Sequence, residues 1–183
     1  MFSSTFLLVF VVIQLSICLE EDYYWREYTG TIPDDAVVAG QDINNQNVYI
    51  GQAYVHNEGL IVSAIFPGVR EVYAPINGIK TVKSYVKILC GPQSNFYWSQ
   101  ANASHLHLQM IDKHPIIGGH EVGGVLYIGR ISSEGDIKIG KVCSFLTENA
   151  LTFFNSRDTE KSVASYEILM YNENALEVKI EKK

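Results

Sequence analysis

The sequence has few basic residues and does not concentrate them. There are 14 Lys and Arg residues against 20 Asp and Glu residues, for a formal net charge of −6. No cluster of Lys or Arg occurs before the terminal Lys182 and Lys183. A nucleic-acid interface needs a basic patch, and a helix that binds anionic membranes needs a basic face. We therefore expect neither nucleic acid nor a constitutive membrane surface as a partner.

Beyond its amino terminus the sequence has no apolar run near the roughly 18 residues of a transmembrane helix. The first residues differ, because an apolar run from Phe6 to Ile13 is followed, after Cys18, by a group of acidic residues. This pattern predicts a secretory signal peptide at residues 1–18, although its first residues include no Lys or Arg. We expect a secreted, extracellular protein without a transmembrane segment. In such a protein the Asn-Ala-Ser sequon at Asn102 predicts a glycosylation site.

Cysteine is scarce, with 3 in the whole chain. Cleavage near Cys18 leaves Cys90 and Cys143 in an oxidising compartment, where an even count favours a disulfide. The two lie at non-equivalent places in the duplication described below, so a bridge would tie one half to the other. Two buried free thiols are the alternative, because a disulfide requires a Cα separation that the sequence does not give.

The sequence also lacks helical periodicity and common catalytic motifs. Short aromatic and β-branched segments bounded by Gly and Asn, such as Asn47–Val55 and Val125–Ile131, are typical of strands. Cys143 has no nucleophile elbow around it, and the paired glycines near Gly118 and Gly123 fit hairpins rather than a phosphate-binding loop. We therefore predict an all-β, antiparallel protein that is not an enzyme and needs no cofactor.

A group of histidines lies close to an acidic residue in the second half of the sequence: His105, His107, His114 and His120, with Glu121. Imidazole and carboxylate groups can together bind zinc, but this spacing matches no metal motif, so we expect no metal site. His120 could instead contribute a hydrogen bond to a ligand, or make ligand binding sensitive to pH where histidine titrates.

The main feature that the sequence does contain is an internal duplication. The stretch Gly118–Cys143 has a degraded copy at Ala39–Ile65. Aligning the copies on Gly40 and Gly119 matches Asp42 with Glu121, so both copies have a carboxylate at this position. The same alignment matches Ala64 with Lys141, so only the second copy has the lysine. The asymmetry of the lysine is the main clue to function.

The duplication divides the chain into two repeats. The first repeat covers residues 23–93 and the second covers residues 94–171, each with an aromatic opening strand. Each repeat closes with a strand, Val82–Leu89 in the first and Val163–Met170 in the second, and this alignment matches Tyr85 with Tyr166. Residues 172–183 are a C-terminal strand or tail, in which apolar and charged residues alternate from Leu176 to Ile180.

The order of these motifs resembles the DM-nine repeat. The motifs are an aromatic opening, Ile-Pro-x-x-Ala-Val, Ala-Gly-x-Asp, Val-Tyr-Ile-Gly, Gly-x-x-x-Gly-Lys-Val and a closing Ser-Tyr-Glu-Ile-Leu, spread over about Trp25 to Tyr171. This repeat occurs in arthropod secreted proteins, in the amino-terminal half of natterin-like toxins and in a mannose-binding lectin of oysters. The resemblance implies two pseudo-symmetric antiparallel β-sandwich subdomains with exchanged strands. The pore module of natterins is absent, so we do not expect pore formation.

For the lectin branch, the resemblance implies calcium-independent recognition of mannose-type sugars through an acid and a lysine. By position these are Glu121 and Lys141 in the second repeat, where Glu is longer than the Asp of the family. The first repeat keeps Asp42 but has Ala64 in place of the lysine. A tyrosine, Tyr127 or Tyr49, could stack on the sugar ring. The alternative for Glu121 and Lys141 is an exposed ion pair worth at most about 1 kcal/mol.

Two functions follow. The first is a secreted carbohydrate-binding recognition protein that binds mannose-type glycans on microbial or host surfaces, in innate immunity or in a secretion, and that gains avidity as a homodimer. The second is a secreted interaction or structural protein of saliva, venom or gut that has kept the fold and lost the sugar site. The missing first-repeat lysine motivates the second.

Overall fold

The computed structural model describes residues 22–133, 135–155 and 159–172. The expected signal peptide and the alternating segment Leu176–Ile180 lie outside the described residues. Within the described part of the chain, no helix is long and apolar enough to cross a membrane.

The first half consists of seven strands, in agreement with the short β-branched and aromatic segments of its sequence. In chain order they are β1 Tyr24–Glu27, β2 Val38–Gln41, β3 Asn47–Val55, β4 Gly59–Ile65, β5 Val72–Pro75, β6 Ile79–Val82 and β7 Val86–Cys90. All their pairings are antiparallel: β1 and β3 flank β7, β2 and β4 flank β3, and β5 pairs with β6 as a separate hairpin.

The second half repeats this order with small additions. Its elements are β8 Phe96–Asn102, α1 Leu106–Gln109, β9 His114–Pro115, β10 Ile117–Glu121, β11 Gly124–Ser133, β12 Asp136–Cys143, β13 Leu151–Asn155, β14 Thr159–Val163 and β15 Ser165–Tyr171. Two short 3-10 turns, Gln93–Asn95 and Ala103–His105, flank β8. The helix α1 is a single turn, so the expected all-β antiparallel class is confirmed.

The backbone registers of the two halves confirm the duplication. Ile50 of β3 pairs with Ala64 of β4, and Ile128 of β11 pairs with Lys141 of β12. Since the glycines that follow Ile50 and Ile128 correspond in the two repeats, Ala64 and Lys141 occupy equivalent positions. The sequence alignment of the acid and lysine positions therefore holds in three dimensions.

The alignment of the closing strands is wrong by one residue. Gly51 pairs with Ile88 in the first half, and Gly129 pairs with Ile168 in the second, so Tyr85 corresponds to Ser165 rather than to Tyr166. Successive residues of a strand point to opposite faces, so a shift of one residue reverses the side-chain direction. Accordingly, Tyr85 is 77% exposed whereas Tyr166 is buried at 3%.

One strand pairing joins the halves within the described residues, between β4 and β10. It depends on two glycines: a Cβ on Gly59, whose φ is +130°, would lie 2.1 Å from the His120 carbonyl oxygen, and a Cβ on Gly119 would lie 2.0 Å from that of Leu60. Side chains at either position would push the strands apart. The exchange of strands implied by the family resemblance is limited, in the described part of the chain, to this pairing.

Three groups of buried side chains form the core. One group is shared by the halves and includes Ile50 and Val62 from the first with Ile128 and Leu169 from the second. A second group belongs mainly to the first half and a third to the second half. Burial of each such aliphatic side chain contributes about 1.5–3 kcal/mol, so the shared group gives the two halves a common stability.

The structure corrects the expected disulfide, because Cys90 and Cys143 are buried free thiols. Cys90 ends β7 and Cys143 ends β12, and four strands lie between β7 and β12 in the sheet order. Both thiols pack in one hydrophobic cluster without a bond between them. The alternative that the sequence left open, two buried thiols, is the one that the structure shows.

Candidate functional site

The structure brings Glu121 and Lys141 together. Glu121 ends β10, Lys141 lies in β12, and β11 pairs with both strands. The Lys141 Nζ atom donates a hydrogen bond to Glu121 Oε2 and forms an ion pair with it. The side chains are 6% exposed for Lys141 and 9% for Glu121. The pair is therefore buried, and the alternative of an exposed surface ion pair is wrong.

Cys143 completes the pair from two residues further along β12. Its Sγ atom donates to the second carboxylate oxygen, Glu121 Oε1, over 3.1 Å. Burial, followed by the hydrogen bond to the carboxylate, raises the pKa of the Cys143 thiol from 9.0 to about 12. The thiol is therefore neutral at physiological pH and acts as a hydrogen-bond donor. Both oxygens of Glu121 thus have a protein partner.

The ion pair lies at a cavity of about 210 Å³ between the two halves. We call this cavity the charged pocket. The first half contributes Glu58, from the β3–β4 turn, with Ile76 and Asn77, and the second half contributes Glu121, Val122, Lys141 and Glu160. The cavity is smaller than the roughly 300–1,000 Å³ of typical ligand pockets, so it has room for one small polar ring rather than an extended ligand.

Hydrogen bonds across the charged pocket hold its rim in place. Asn77 Nδ2 donates to Glu58 Oε2 over 3.1 Å, and the backbone N–H of Gly78 donates to Glu160 Oε2 over 2.9 Å. The second bond links the β5–β6 hairpin of the first half to β14 of the second. In the described part of the chain, Glu58 Oε1 and Glu160 Oε1 have no further hydrogen-bond partner.

The charged pocket is rich in acceptors. It has three carboxylates, from Glu58, Glu121 and Glu160, against the single ammonium of Lys141. Ionised carboxylates only accept hydrogen bonds, and bonds from a hydroxyl to a carboxylate are strengthened by the charge. A ligand that suits this pocket therefore carries several hydrogen-bond donors, as the hydroxyl groups of a sugar do.

The structure does not bring His120 and Tyr127 to the charged pocket. His120 pairs with Leu60 across β10 and β4, so its side chain points to the face of the sheet opposite that of the neighbouring Glu121. Tyr127 packs against the core of the second half, and Tyr49 against that of the first. None of the three lines the cavity.

Asp42, the acid of the first repeat, has a local structural role. Its Oδ1 atom accepts hydrogen bonds from the backbone N–H groups of Asn44 and Gln46, both over 2.8 Å. This arrangement closes the β2–β3 turn, as Asp side chains commonly do. The side chain is therefore committed to the turn rather than to a ligand.

The position equivalent to Lys141 faces a second cavity of about 200 Å³, here called the apolar pocket. Its walls are mainly hydrophobic: Ala64, Phe66, Tyr73, Ile137, Lys138, Ile139 and Phe154. The rings of Tyr73 and Phe154 stack with their centroids 4.8 Å apart. Lys138 is the one charged residue of the lining, and its Nζ atom donates to Asp136.

The histidine group does not form a metal centre. In residues 22–133, 135–155 and 159–172, no three His, Cys, Asp or Glu side chains are placed to hold a metal ion. His105 Nδ1 lies 2.7 Å from Ser104 Oγ, in the turn that follows β8.

The sequon residue Asn102 ends β8 and starts this turn. Its Oδ1 atom accepts hydrogen bonds from the Ser104 backbone N–H over 3.1 Å and from Ser104 Oγ over 2.7 Å. Its Nδ2 atom, where a glycan would be attached, donates to Ser165 Oγ over 2.9 Å. Glycosylation at Asn102 stays a prediction.

Sequence reasoning missed several residues of the site. Cys143 was assigned to a disulfide rather than to Glu121, and Glu58, Asn77 and Glu160 were not singled out. No spacing signal could have found the last three, because they lie on turns and hairpins that only the folded chain brings together. The sequence did contain a signal for Cys143. It follows Lys141 by two residues in a predicted strand, and residues two apart in a strand lie on the same face of the sheet.

Comparisons with known proteins agree with this fold. The family model of the DM9 repeat, the DM-nine repeat named above, matches residues 53–148, a range that runs from β3 past β12 and so includes parts of both halves. No curated protein matches the chain. Six chains of solved structures match.

One of these solved structures is the nematode sperm cell motility protein MFP2B, with a TM-score of 0.55 and 16% sequence identity. The alignment covers 84% of this chain but 44% of that one, so the chain spans less than half of that protein. At this identity the likeness shows the fold alone. The family match covers more than half of the sequence, and it is consistent with a carbohydrate-binding, lectin-like protein. The chain therefore belongs to the DM9 repeat family.

Proposed function

We propose that this chain is a secreted, lectin-like protein that binds a mannose-type sugar in the charged pocket, without calcium and without catalysing a reaction. The proposal assigns Glu121 and Lys141 to the base of the site. It assigns Glu58, Asn77 and Glu160 to the rim. The membership of the DM9 family supports the carbohydrate class.

The observation that carries the proposal is the acceptor-rich cavity built around a buried ion pair. Adjacent sugar hydroxyls can donate to the unengaged oxygens of Glu58 and Glu160. In the described residues Lys141 Nζ uses one of its three N–H groups, for Glu121, so two remain to donate to a sugar oxygen. Because the pocket is small, we expect it to bind the terminal ring of a glycan.

The test should vary the rim rather than the ion pair. Removal of Lys141 would leave the buried Glu121 carboxylate without a cation, which costs about 3–5 kcal/mol, and lost folding would then be confused with lost binding. Glu58→Gln keeps the shape of a half-buried rim residue and removes its charge. It should weaken retention on a mannan column and on a glycan array about tenfold, since a charge-assisted hydrogen bond contributes about 1.5–3 kcal/mol.

Glu71→Gln is the matched control. Glu71 forms an exposed ion pair with Lys83 over 2.7 Å and lies outside the charged pocket. Its variant should bind sugar as the wild type does. Equal retention of wild type and Glu58→Gln on every sugar matrix would contradict the assignment of the site.

The second candidate is an interaction or structural protein, and the closed ion pair favours it. Both oxygens of Glu121 are already satisfied inside the protein, so the pair can serve to fix β10 on β12 without any ligand. The solved protein of similar fold is described as a motility protein. Under this candidate the wild-type protein is not retained on any sugar matrix, whether or not calcium is present.

A further inference from the structure

A separate recess lies on the first half, on the outer side of the β3–β7 pair, with a volume of about 590 Å³. This volume falls in the range of ordinary ligand pockets, about 300–1,000 Å³. We call it the tyrosine recess. Its lining is mostly apolar, with a charged residue of each sign: Glu27, Gln52, Tyr54, Leu60, Tyr85, Val86 and Lys87.

Two exposed tyrosines form one wall of the tyrosine recess. Tyr54 is 45% exposed and Tyr85 is 77% exposed, and their rings meet edge to face with centroids 6.4 Å apart. Tyr85 has a φ of +57°, which is uncommon for a residue other than Gly and rare for a bulky side chain. Strained backbone conformations of this kind are concentrated at functional sites. Here the conformation directs the Tyr85 ring outward, beside Tyr54.

The floor of the recess carries a hydrogen-bond acceptor that is open to a ligand. Gln52 is 6% exposed, and its Nε2 atom donates to the Gly118 carbonyl oxygen over 2.9 Å. That bond fixes the amide, so Oε1 is left as an acceptor with no hydrogen-bond partner in the described part of the chain. Among the described residues, the side-chain oxygens that are buried without a partner belong to Asp136 and Tyr166, so Gln52 Oε1 is open to solvent and can accept a hydrogen bond from a hydroxyl group in the recess.

The equivalent place in the second half carries side chains of different chemistry. Arg130 replaces Gln52, and its Nη1 atom donates to the Ala39 carbonyl oxygen over 2.5 Å, the counterpart of the Gln52 bond. Arg130 also forms an ion pair with Glu167 over 2.7 Å and lies 4.3 Å from the Trp98 ring centroid. Serines, Ser132 and Ser165, replace the two tyrosines. The two tyrosines and the amide of the recess are therefore not repeated in the second half.

We propose that the tyrosine recess is a second carbohydrate-binding site, which takes one sugar ring with its apolar face against one of the two perpendicular tyrosine rings and its edge against the other. The aromatic faces suit the C–H face of the ring, and Gln52 Oε1 accepts from a hydroxyl group at its edge. Glu27 and Lys87, which pair across β1 and β7, accept from and donate to hydroxyl groups at the rim. Two sites on one chain give a branched glycan higher avidity than either site alone.

The test is a titration of the full chain, with its tyrosine rings isotopically labelled, by methyl glycosides of mannose, glucose, galactose and N-acetylglucosamine. At least one glycoside should shift the ring signals of Tyr54 and Tyr85. In Tyr85→Ala the affinity of this site should fall about tenfold, the effect of losing an aromatic contact of about 1.4 kcal/mol. The melting temperature should be unchanged, because the Tyr85 ring is exposed.

Tyr97→Ala is the matched control, since Tyr97 is 41% exposed on β8 and lines none of the three cavities described. It should leave the affinity unchanged. If no glycoside shifts Tyr54 or Tyr85, or if Tyr85→Ala binds as tightly as Tyr97→Ala, the proposal is wrong. A shift caused by an apolar tripeptide and by none of the glycosides would replace the sugar with a protein partner, and would also overturn it.

The same titration separates this site from the charged pocket. If Glu58→Gln weakens sugar binding and Tyr85→Ala does not, the proposal for the tyrosine recess is wrong and the proposed function is supported. The converse result would support the recess and sink the assignment of the charged pocket.

Discussion

The charged pocket and the apolar pocket each contain one member of a pair of equivalent repeat positions, Lys141 and Ala64, yet they differ in chemistry. Lys141 in one is Ala64 in the other, and Cys143 in one is Phe66 in the other. In the first half the equivalent acid, Asp42, accepts hydrogen bonds from the backbone of its own turn and so has a structural role. The comparison teaches that the strand register of the repeat preserves a position, whereas the side chains placed there decide the chemistry of the cavity beside it.

The largest effect that we expect comes from breaking the charged pocket itself. Lys141→Ala leaves the Glu121 carboxylate buried beside Cys143 with no cation, and we expect a loss of about 3–5 kcal/mol in the free energy of unfolding. Chemical denaturation followed by fluorescence measures it. Lys83→Ala, at the exposed pair with Glu71, is the control and should change stability by less than about 1 kcal/mol. Equal effects of the two variants would show that burial of the pair is not important.

A smaller effect is expected from giving the apolar pocket the missing lysine. Ala64→Lys places an ammonium among Phe66, Ile137 and Phe154, near the cation Lys138 and with Asp42 held in its turn. We expect destabilisation of about 1–3 kcal/mol, the range for a poorly compensated buried polar group, and no gain of sugar binding. Thermal unfolding and the glycan array check both. A new binding activity would mean that Asp42 can leave its turn, and that the two pockets differ by the lysine alone.

The smallest effect concerns pH. The Cys143 thiol has a folded-state pKa raised from 9.0 to about 12, so its contribution is complete below pH 9. Above that pH the unfolded chain loses the thiol proton while the folded chain keeps it, and stability falls as the pH rises toward 12. Cys143→Ser keeps a hydrogen-bond donor for Glu121 and removes this titration. Between pH 8 and pH 10, about one unit either side of the ordinary thiol pKa, the melting temperature of the variant should fall less than that of the wild type.

The outcome for Cys143→Ser depends on the second thiol as well. Cys90 also has a raised pKa, about 11, with burial as the main cause and the nearby Asp35 carboxylate as the next. It continues to titrate in the variant, so the pH dependence should shrink rather than vanish. An unchanged pH dependence would show that Cys143 is ionised in the folded protein or accessible to water.

Much of the fold could be predicted from the sequence because its signals are local. The alternation and turn residues of Asn47–Val55 and Val125–Ile131 predict strands, and the corresponding segments form β3 and most of β11. The repeated glycines fixed the alignment of Ala64 with Lys141. The closing strands were misaligned because the same dipeptide, Ser-Tyr, occurs in both, and a strand register depends on the partner strand rather than on a matching pair of letters.

The candidate site was predictable only in its centre. Glu121 and Lys141 follow from the repeat, whereas Glu58, Asn77 and Glu160 join them through the β4–β10 pairing and the contact of the β5–β6 hairpin with β14. These contacts link residues far apart in the chain. His120 shows the opposite case, since it adjoins Glu121 in sequence and lies on the other face of the sheet.

By itself the sequence determined the duplication, the antiparallel strands and the presence of a lysine in one copy alone, because periodicity and turn chemistry act over a few residues. The tertiary structure decided that the ion pair is buried, that the two cysteines stay unbridged and that Tyr85 points outward. The physical reason is the same in each case. Burial and side-chain direction depend on which strands pair and in which register, and the pairing is settled by the whole core rather than by any one segment.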